Sequence, residues 1–165
     1  MYKHLALAFT AMLTVAGAQS APSRLKQELV RSQVVITVDK NGKKVETLKP
    51  GVKSALPGDI FEDTDTLTNT GQQTISNVNV DLKVTPGVYV SSSATRSDVR
   101  TLFSADKGKT YAAAPLKKTV TVQENGRTVT REVEVKPSEY TNVRFVVPSL
   151  KPNEIVKATL RFRVG

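Results

Sequence analysis

Apolar and polar residues alternate with a period of two through most of the chain, and this alternation limits the fold more than any other feature of the sequence. The last segment is the clearest case, because its apolar residues and its polar residues separate onto two sides. The apolar side holds Val156, Ala158, Leu160, Phe162 and Val164, and the polar side holds Lys157, Thr159, Arg161 and Arg163. Such alternation is typical of an antiparallel strand with one buried face. Because Gly, Pro and Asn-Gly interrupt the pattern at short intervals, the chain is predicted to be all-β.

The same pattern predicts nine strands. They are Gln33–Val38, Val45–Leu48, Asp59–Thr68, Ile75–Val84, Val88–Ser92, Lys118–Val122, Thr128–Val135, Tyr140–Val147 and Ile155–Val164. Residues 24–31 are predicted to form at most one short helical turn, and an irregular connection is expected from Ser91 to about Ala114.

Two Asn-Gly pairs predict tight hairpins. Asn41-Gly42 and Asn125-Gly126 each lie between predicted strands, and Asn-Gly suits the two positive-φ positions of a type I′ turn. If Asn125 and Gly126 are the loop residues, Glu124 pairs with Arg127. Val122 then pairs with Val129, and the apolar residues of both strands share one face.

The N-terminus is typical of a secretion signal. Lys3 precedes an apolar run from Leu5 to Ala18, which ends in the small residues Ala16-Gly17-Ala18. The run is too short to be a good transmembrane helix. We therefore predict a signal peptide over 1–18, a short linker over 19–24 and a single domain over 25–165. Export would place the protein in the periplasm, the cell envelope or at the cell surface, with no transmembrane segment in the mature chain.

Composition excludes much of enzyme chemistry. The chain has no Cys and no Trp, and its one histidine, His4, lies within the predicted signal. Catalysis by Ser-His-Asp or Cys-His groups and zinc sites of Cys and His are therefore excluded. We expect no enzymatic activity, no catalytic residues and no cofactor.

The basic charge favours an anionic partner. The formal net charge is +9 over 165 residues, and charge of this size attracts acidic proteins, glycans or lipid phosphates. Nucleic acid is not expected, because few aromatic residues are available for base stacking. The partner is predicted to be an envelope or surface-layer protein, or an anionic glycan. The candidate partner-binding residues are Lys43, Lys44, Arg96, Arg100, Lys107 and Lys109.

Several turn motifs resemble a known family. Leu56-Pro57-Gly58-Asp59, the turn Asn69-Thr70-Gly71, the strand beginning Ile75-Ser76-Asn77-Val78 and the pair Pro86-Gly87 resemble a bacterial cell-surface conserved-repeat domain of unknown function, the eleventh in the usual numbering. The loop Phe103–Tyr111 is similar to a loop of exported proteins from Deinococcus-type bacteria. The resemblance spans residues 50–165. It implies an immunoglobulin-like antiparallel β-sandwich at the envelope and carries over no catalytic residues.

One strand departs from a simple sandwich pattern. Asp63 and Asp65 share a face with Phe61 and Leu67, and an ionised carboxylate is costly to bury without a partner. Four explanations stay open: a hard cation bound by Asp59, Asp63 and Asp65, pairing with Arg or Lys of a neighbouring strand, protection of a sheet edge, or docking of a partner. A glycosidase pair is disfavoured, because a small fold with few aromatics offers little surface for sugar stacking.

We therefore expect a non-enzymatic structural or interaction module of the bacterial cell envelope. The alternative is a small metal- or ligand-binding extracytoplasmic protein that uses the acidic strand around Asp63 and Asp65. No metal site is expected, since one strand rarely supplies a full coordination shell.

Overall fold

The computed structural model describes residues 24–165, which form ten strands and one 3₁₀ turn at Pro137–Glu139. The strands are β1 Leu25–Val38, β2 Lys44–Pro50, β3 Ile60–Asn69, β4 Ile75–Lys83, β5 Val88–Ala94, β6 Arg100–Ser104, β7 Lys117–Glu124, β8 Arg127–Glu134, β9 Asn142–Leu150 and β10 Ile155–Arg163. The predicted signal peptide and residues 19–23 of the predicted linker lie outside the described residues. The all-β prediction is confirmed.

The strands form three antiparallel sheets. The largest has the order β2-β1-β3-β10-β5, the second has the order β4-β9-β6, and β7 pairs with β8 alone. Strand β3 therefore lies in the interior of the five-stranded sheet, between β1 and β10. Strand β2 forms one edge of that sheet.

The main hydrophobic core lies between the five-stranded and three-stranded sheets. Strand β10 contributes its whole predicted apolar face as far as Phe162, and β4 and β9 contribute alternate residues from the other sheet. The fully enclosed members of this core include Leu67, Val143, Phe145, Val147, Leu150, Val156, Ala158, Leu160 and Phe162. Phe61 stacks on Phe162 with ring centroids 6.0 Å apart. The alternation in sequence thus corresponds to a face buried against the other sheet.

A second, smaller core lies at the base of the β7–β8 hairpin. It contains Leu116, Val135 and Tyr140, with Tyr89 and Phe103 packed against it. The predicted register of the hairpin is confirmed, because Glu124 pairs with Arg127 and Val122 with Val129. Asn125 and Gly126 have φ of 49° and 76°, as a type I′ turn requires.

Three local predictions were wrong. Residues 25–31 belong to β1 and not to a helical turn, because they pair with β3. The connection from Ser91 to Ala114 is not irregular throughout, because β5 continues to Ala94 and β6 follows at Arg100–Ser104. At the first hairpin Gly42 has a positive φ of 77° while Asn41 does not. The loop there has three residues and matches a type I turn followed by a left-handed glycine, not type I′.

Candidate functional site

The inner face of the acidic strand β3 is buried. Asp63 and Asp65 are 3% and 1% exposed, on the same side as Phe61 and Leu67. On the opposite side Glu62 is also buried. The edge-protection explanation for these acids is wrong, because β3 has a paired strand on each side.

Asp63 is paired internally. Arg31, its cross-strand partner on β1, donates from Nε to Oδ1 at 2.6 Å and from Nη2 to Oδ2 at 2.7 Å. The guanidinium lies over the Phe162 ring, 4.9 Å from its centroid. The hydrogen bonds that Arg31 donates to Asp63 are the main cause that raises the pKa of Arg31. Both carboxylate oxygens are thus occupied by an arginine that stays charged at any working pH.

Asp65 is also buried, but it has fewer hydrogen-bond partners than Asp63 and no cationic partner among residues 24–165. Gln27 donates from Nε2 to its Oδ2 at 2.5 Å, and Oδ1 has no hydrogen-bond partner. Burial raises the pKa of Asp65, and the bond from Gln27 opposes that shift only in part. This carboxyl is the least satisfied buried group of the sheet.

The other acids near β3 also have structural partners. Asp59 accepts the backbone N–H of Leu56 at 2.8 Å, and Glu62 accepts from Arg161 at 2.7 Å. Residues 24–165 contain no group of three or more His, Cys, Asp or Glu side chains placed to hold a metal ion. The geometry does not bring Asp59, Asp63 and Asp65 together as a ligand set.

The molecule's exposed apolar surface is concentrated around the β1–β2 arm, which we define as residues 32–50. Four of the eleven exposed large hydrophobic residues described lie on it, and three more lie within three residues of its ends. The four are Ile36, Val38, Val45 and Leu48, and the three are Leu29, Val30 and Val52. Strand β3 pairs with β1 only as far as Val34, so Val35–Val38 are paired with β2 alone. The end of the arm therefore projects beyond the rest of the sheet, with apolar side chains on both faces.

The outer edge of the arm presents free backbone groups. The N–H of Asp39 donates to the carbonyl of Lys43 at 2.9 Å, which makes these two residues a hydrogen-bonded pair. In an antiparallel ladder such pairs alternate with pairs that point their backbone groups outward. With the regular register of β1 and β2, the N–H and C=O groups of Lys44, Glu46 and Leu48 point away from β1.

Lysines surround this edge. Lys40, Lys43, Lys44, Lys49 and Lys53 have no carboxylate within 4.0 Å in the described part of the chain. Glu46 is the one acid of the arm beyond Asp39, and Arg161 donates to both of its oxygens, at 2.5 and 3.0 Å. The arm therefore has a positive rim that nothing in residues 24–165 neutralises.

The other predicted partner-binding residues lie elsewhere. Arg96 is held by Asp98 and Glu154 and donates to the carbonyl of Ser149, which is a structural role. Arg100 begins β6 in the other sheet. Lys107 and Lys109 lie on the loop after β6. The six predicted residues therefore do not form one patch, and Lys43 and Lys44 alone are on the arm.

The loop after β6 is organised by one carboxylate. Asp106 accepts from the hydroxyls of Ser104 and Thr110 and from the backbone N–H groups of Lys109 and Thr110. These bonds lower the pKa of Asp106 far below its usual value. Lys107 and Gly108 have φ of 64° and 83°, so the chain reverses at Gly108. Lys107 and Lys109 therefore lie on a turn whose backbone is held by the bonds to Asp106.

A cleft of about 370 Å³ lies between this loop and the base of the β7–β8 hairpin, lined in part by Tyr111, Lys117, Lys118 and Glu139. Both lysines of the cleft are ion-paired, because Lys117 pairs with Glu132 and Lys118 pairs with Glu139. Tyr111 lies under the guanidinium of Arg144, 3.9 Å from the ring centroid. The charged groups of the cleft thus already have partners and do not converge on a shared point.

No protein-family model, curated protein or solved structure matches this chain. The resemblance to the cell-surface repeat domain therefore stays a prediction. Residues 24–165 contain no helix that is long and apolar enough to cross a membrane.

Proposed function

We propose that this chain is an exported, non-enzymatic interaction module of the bacterial cell envelope, with an immunoglobulin-like sandwich fold, which binds a protein partner through the β1–β2 arm. The observation that carries the proposal is the arm itself. It combines an open sheet edge with exposed apolar side chains on both faces. The envelope location rests on the N-terminal sequence and on the family resemblance.

The exposed apolar residues are the main support for binding. Soluble proteins scatter such residues singly, and concentrated patches mark interaction sites. Ile36 and Val38 are 58% and 65% exposed and lie where the arm extends past β3. Burying apolar surface contributes about 25 cal/mol per Å², so a partner that covers this end stabilises the complex.

Protection of the sheet edge by lysines does not by itself explain the composition of the arm. Edge lysines are a common device against unwanted strand pairing, and Lys44 and Lys49 fit that role. The device requires charge, however, and does not require Val45 and Leu48 to be exposed between the two lysines. An edge that served only to avoid contact would be polar along its length.

A protein partner is favoured over a glycan. The outward N–H and C=O groups of Lys44, Glu46 and Leu48 repeat at the spacing of a β-strand, which is the pattern that another polypeptide matches. A sugar polymer would use stacking aromatics, and no Trp, Tyr or Phe lies within residues 32–50.

The absence of catalysis is proposed because the two buried acids of β3 are out of reach of a substrate. Arg31 takes both oxygens of Asp63, and Asp65 is enclosed between sheets. A general acid or base must come within hydrogen-bond reach of its substrate, and neither carboxylate is open to one.

Photo-crosslinking in the native cells tests the proposal. A photoreactive phenylalanine analogue replaces Ile36 on the arm, and the matched control carries it at Thr119, an exposed position of β7 on the other hairpin. We expect discrete adducts with an envelope protein from position 36 and none from position 119. Identical products from the two positions, or none from position 36, would contradict binding through the arm. Cell fractionation of the same samples tests export.

A further inference from the structure

We infer that the β2 edge accepts an extended, acidic segment of the partner protein as a sixth strand of the five-stranded sheet. This inference rests on the proposed function and names the mode of binding and the chemistry of the partner. The juxtaposition that supports it is an open edge of three outward-facing residues within a set of unpaired lysines.

The backbone sets the size of the binding segment. Lys44, Glu46 and Leu48 each offer an outward N–H and C=O, which gives six hydrogen-bonding groups over five residues. Strands rise about 3.3 Å per residue, so the partner contributes a strand of similar length. The edge is bounded at both ends, because Pro50 has no N–H and Gly51 turns the chain with φ of 70°, while Gly42 turns it before Lys43.

Charge specifies an acidic partner. Lys44 and Lys49 lie on opposite faces of β2, since alternate residues point to opposite sides. Lys40 and Lys43 lie at the turn, and Lys53 follows the strand. Opposite charges directly across a strand pair stabilise it, and like charges destabilise it. Because Glu46 is already paired with Arg161, the unpaired charges that the edge presents to a partner strand are all positive.

The same charges argue against a second copy of this chain. An antiparallel pairing of two β2 strands through their outward residues, centred on Glu46, would place Glu46 of one copy opposite Glu46 of the other and Lys44 opposite Leu48, and it would bring the unpaired lysines of both arms together. Residues 1–23 of the chain also lack the required chemistry, since they contain no Asp or Glu. The occupant is therefore a segment of another protein.

The exposed apolar residues add specificity. Val45 lies on one face of β2 and Leu48 on the other. A partner strand that places apolar residues beside both covers them, and its acidic residues then meet Lys44 and Lys49. The expected recognition sequence is thus an extended run in which acidic and β-branched residues are mixed, without proline.

Selection of random short peptides displayed on phage, with the full chain as bait, tests the inference. The expected peptides are acidic, free of proline and rich in Val, Ile or Thr. Leu48→Pro removes an outward N–H without removing a bond to β1, and Leu48→Ala is the matched control that keeps the N–H. Synthetic versions of the selected peptides should bind Leu48→Pro about tenfold or more weakly than Leu48→Ala. The double variant Lys44→Glu with Lys49→Glu should lose the acidic peptides.

Amide hydrogen exchange of the wild-type protein provides a second readout that needs no variant to fold. Saturation with a selected peptide should slow exchange at Lys44, Glu46 and Leu48, with little change at Val45, Thr47 and Lys49. Peptides that bind Leu48→Pro and Leu48→Ala equally, carry no acidic bias or leave those three amides unprotected would overturn strand addition. Adducts from position 36 in the same cells would leave the broader proposal standing, whereas their absence would remove both.

Discussion

Arg31 on β1 holds both carboxylate oxygens of Asp63 on β3, at 2.6 and 2.7 Å, across a directly opposed pair of residues. The carboxylate is almost wholly buried, with 4% of its side chain exposed, while 47% of the arginine side chain is exposed. This geometry lets the sheet carry a charge on its inner face, because the arginine brings a counter-charge in from the border of the core.

Removing Arg31 should therefore destabilise the fold through the carboxylate it leaves behind. We expect Arg31→Ala to lower the free energy of unfolding by about 2–3 kcal/mol, below the full cost of breaking a buried pair since water can reach the vacated side. Urea denaturation followed by circular dichroism measures this. The control is Lys26→Ala, which removes an exposed pair with Glu28 and should cost less than about 1 kcal/mol. Equal effects of the two substitutions would refute a special role for the Arg31 pair.

Asp65 should respond in the opposite way to Asp63 when its charge is removed. Burial raises its pKa in the folded state, so the folded protein binds a proton at a higher pH than the unfolded chain does. The cost of burying the ionised form is therefore present above the folded pKa and is relieved as pH falls toward the unfolded value of about 3.9. Asp65→Asn should stabilise the protein by about 1–2 kcal/mol at neutral pH, and the gain should shrink on acidification.

Thermal unfolding across a pH series measures this difference. Asp63→Asn is the matched control, since it removes a carboxylate that is ion-paired with Arg31 and should destabilise the protein at neutral pH. A gain for Asp65→Asn that is independent of pH would mean that charge burial is not its cause.

The sequence predicted what depends on neighbours in the chain. The β10 alternation and the β7–β8 register follow from side-chain period and from one Asn-Gly turn, and both are local. The first half of β1 was missed because charged residues such as Lys26, Glu28 and Arg31 lie on both of its faces. Its partner β3 lies more than thirty residues away, so no local signal showed that Arg31 would neutralise Asp63.

The candidate site was predictable in part for the same reason. Lys43 and Lys44 were identified from charge alone. The position of β2 at the sheet edge depends on the strand order β2-β1-β3, which no motif encodes. Likewise, the separation of Arg100 and Lys107 from the arm follows from the division of strands between two sheets.

The side chain of Asn69 stabilises the Asn-Thr-Gly turn by hydrogen bonds. Its fully buried side chain donates to the carbonyls of Gln73 and Leu150 at 2.8 Å and accepts the N–H of Gly71 at 2.9 Å. It thereby ties the end of β3 to the end of β9 in the other sheet. Asn69→Ala should lower the free energy of unfolding by about 2–3 kcal/mol, since it leaves buried carbonyl and amide groups unpaired.

Chemical denaturation again provides the measurement. Asn79→Ala, on an exposed position of β4, is the control and should change stability by no more than about 0.5 kcal/mol. If the two alanine variants unfold at the same urea concentration, Asn69 does not connect the sheets energetically.

Gly87, between β4 and β5, lies close to the backbone at the end of β10. Its φ is 145°, and a Cβ there would lie 2.0 Å from the carbonyl oxygen of Arg163. That oxygen belongs to the backbone and cannot rotate away, so Gly87→Ala must shift β5 relative to β10. We expect Gly87→Ala to lower the free energy of unfolding by about 2–3 kcal/mol, which is measured as a lower urea midpoint with the unfolding slope unchanged.

Gly42→Ala is the control that separates this close approach from backbone strain alone, because Gly42 has a positive φ of 77° but no atom within 4 Å of its added Cβ. It should cost about 1 kcal/mol, and a loss at Gly87 no larger than this would show that the contact with Arg163 is readily relieved.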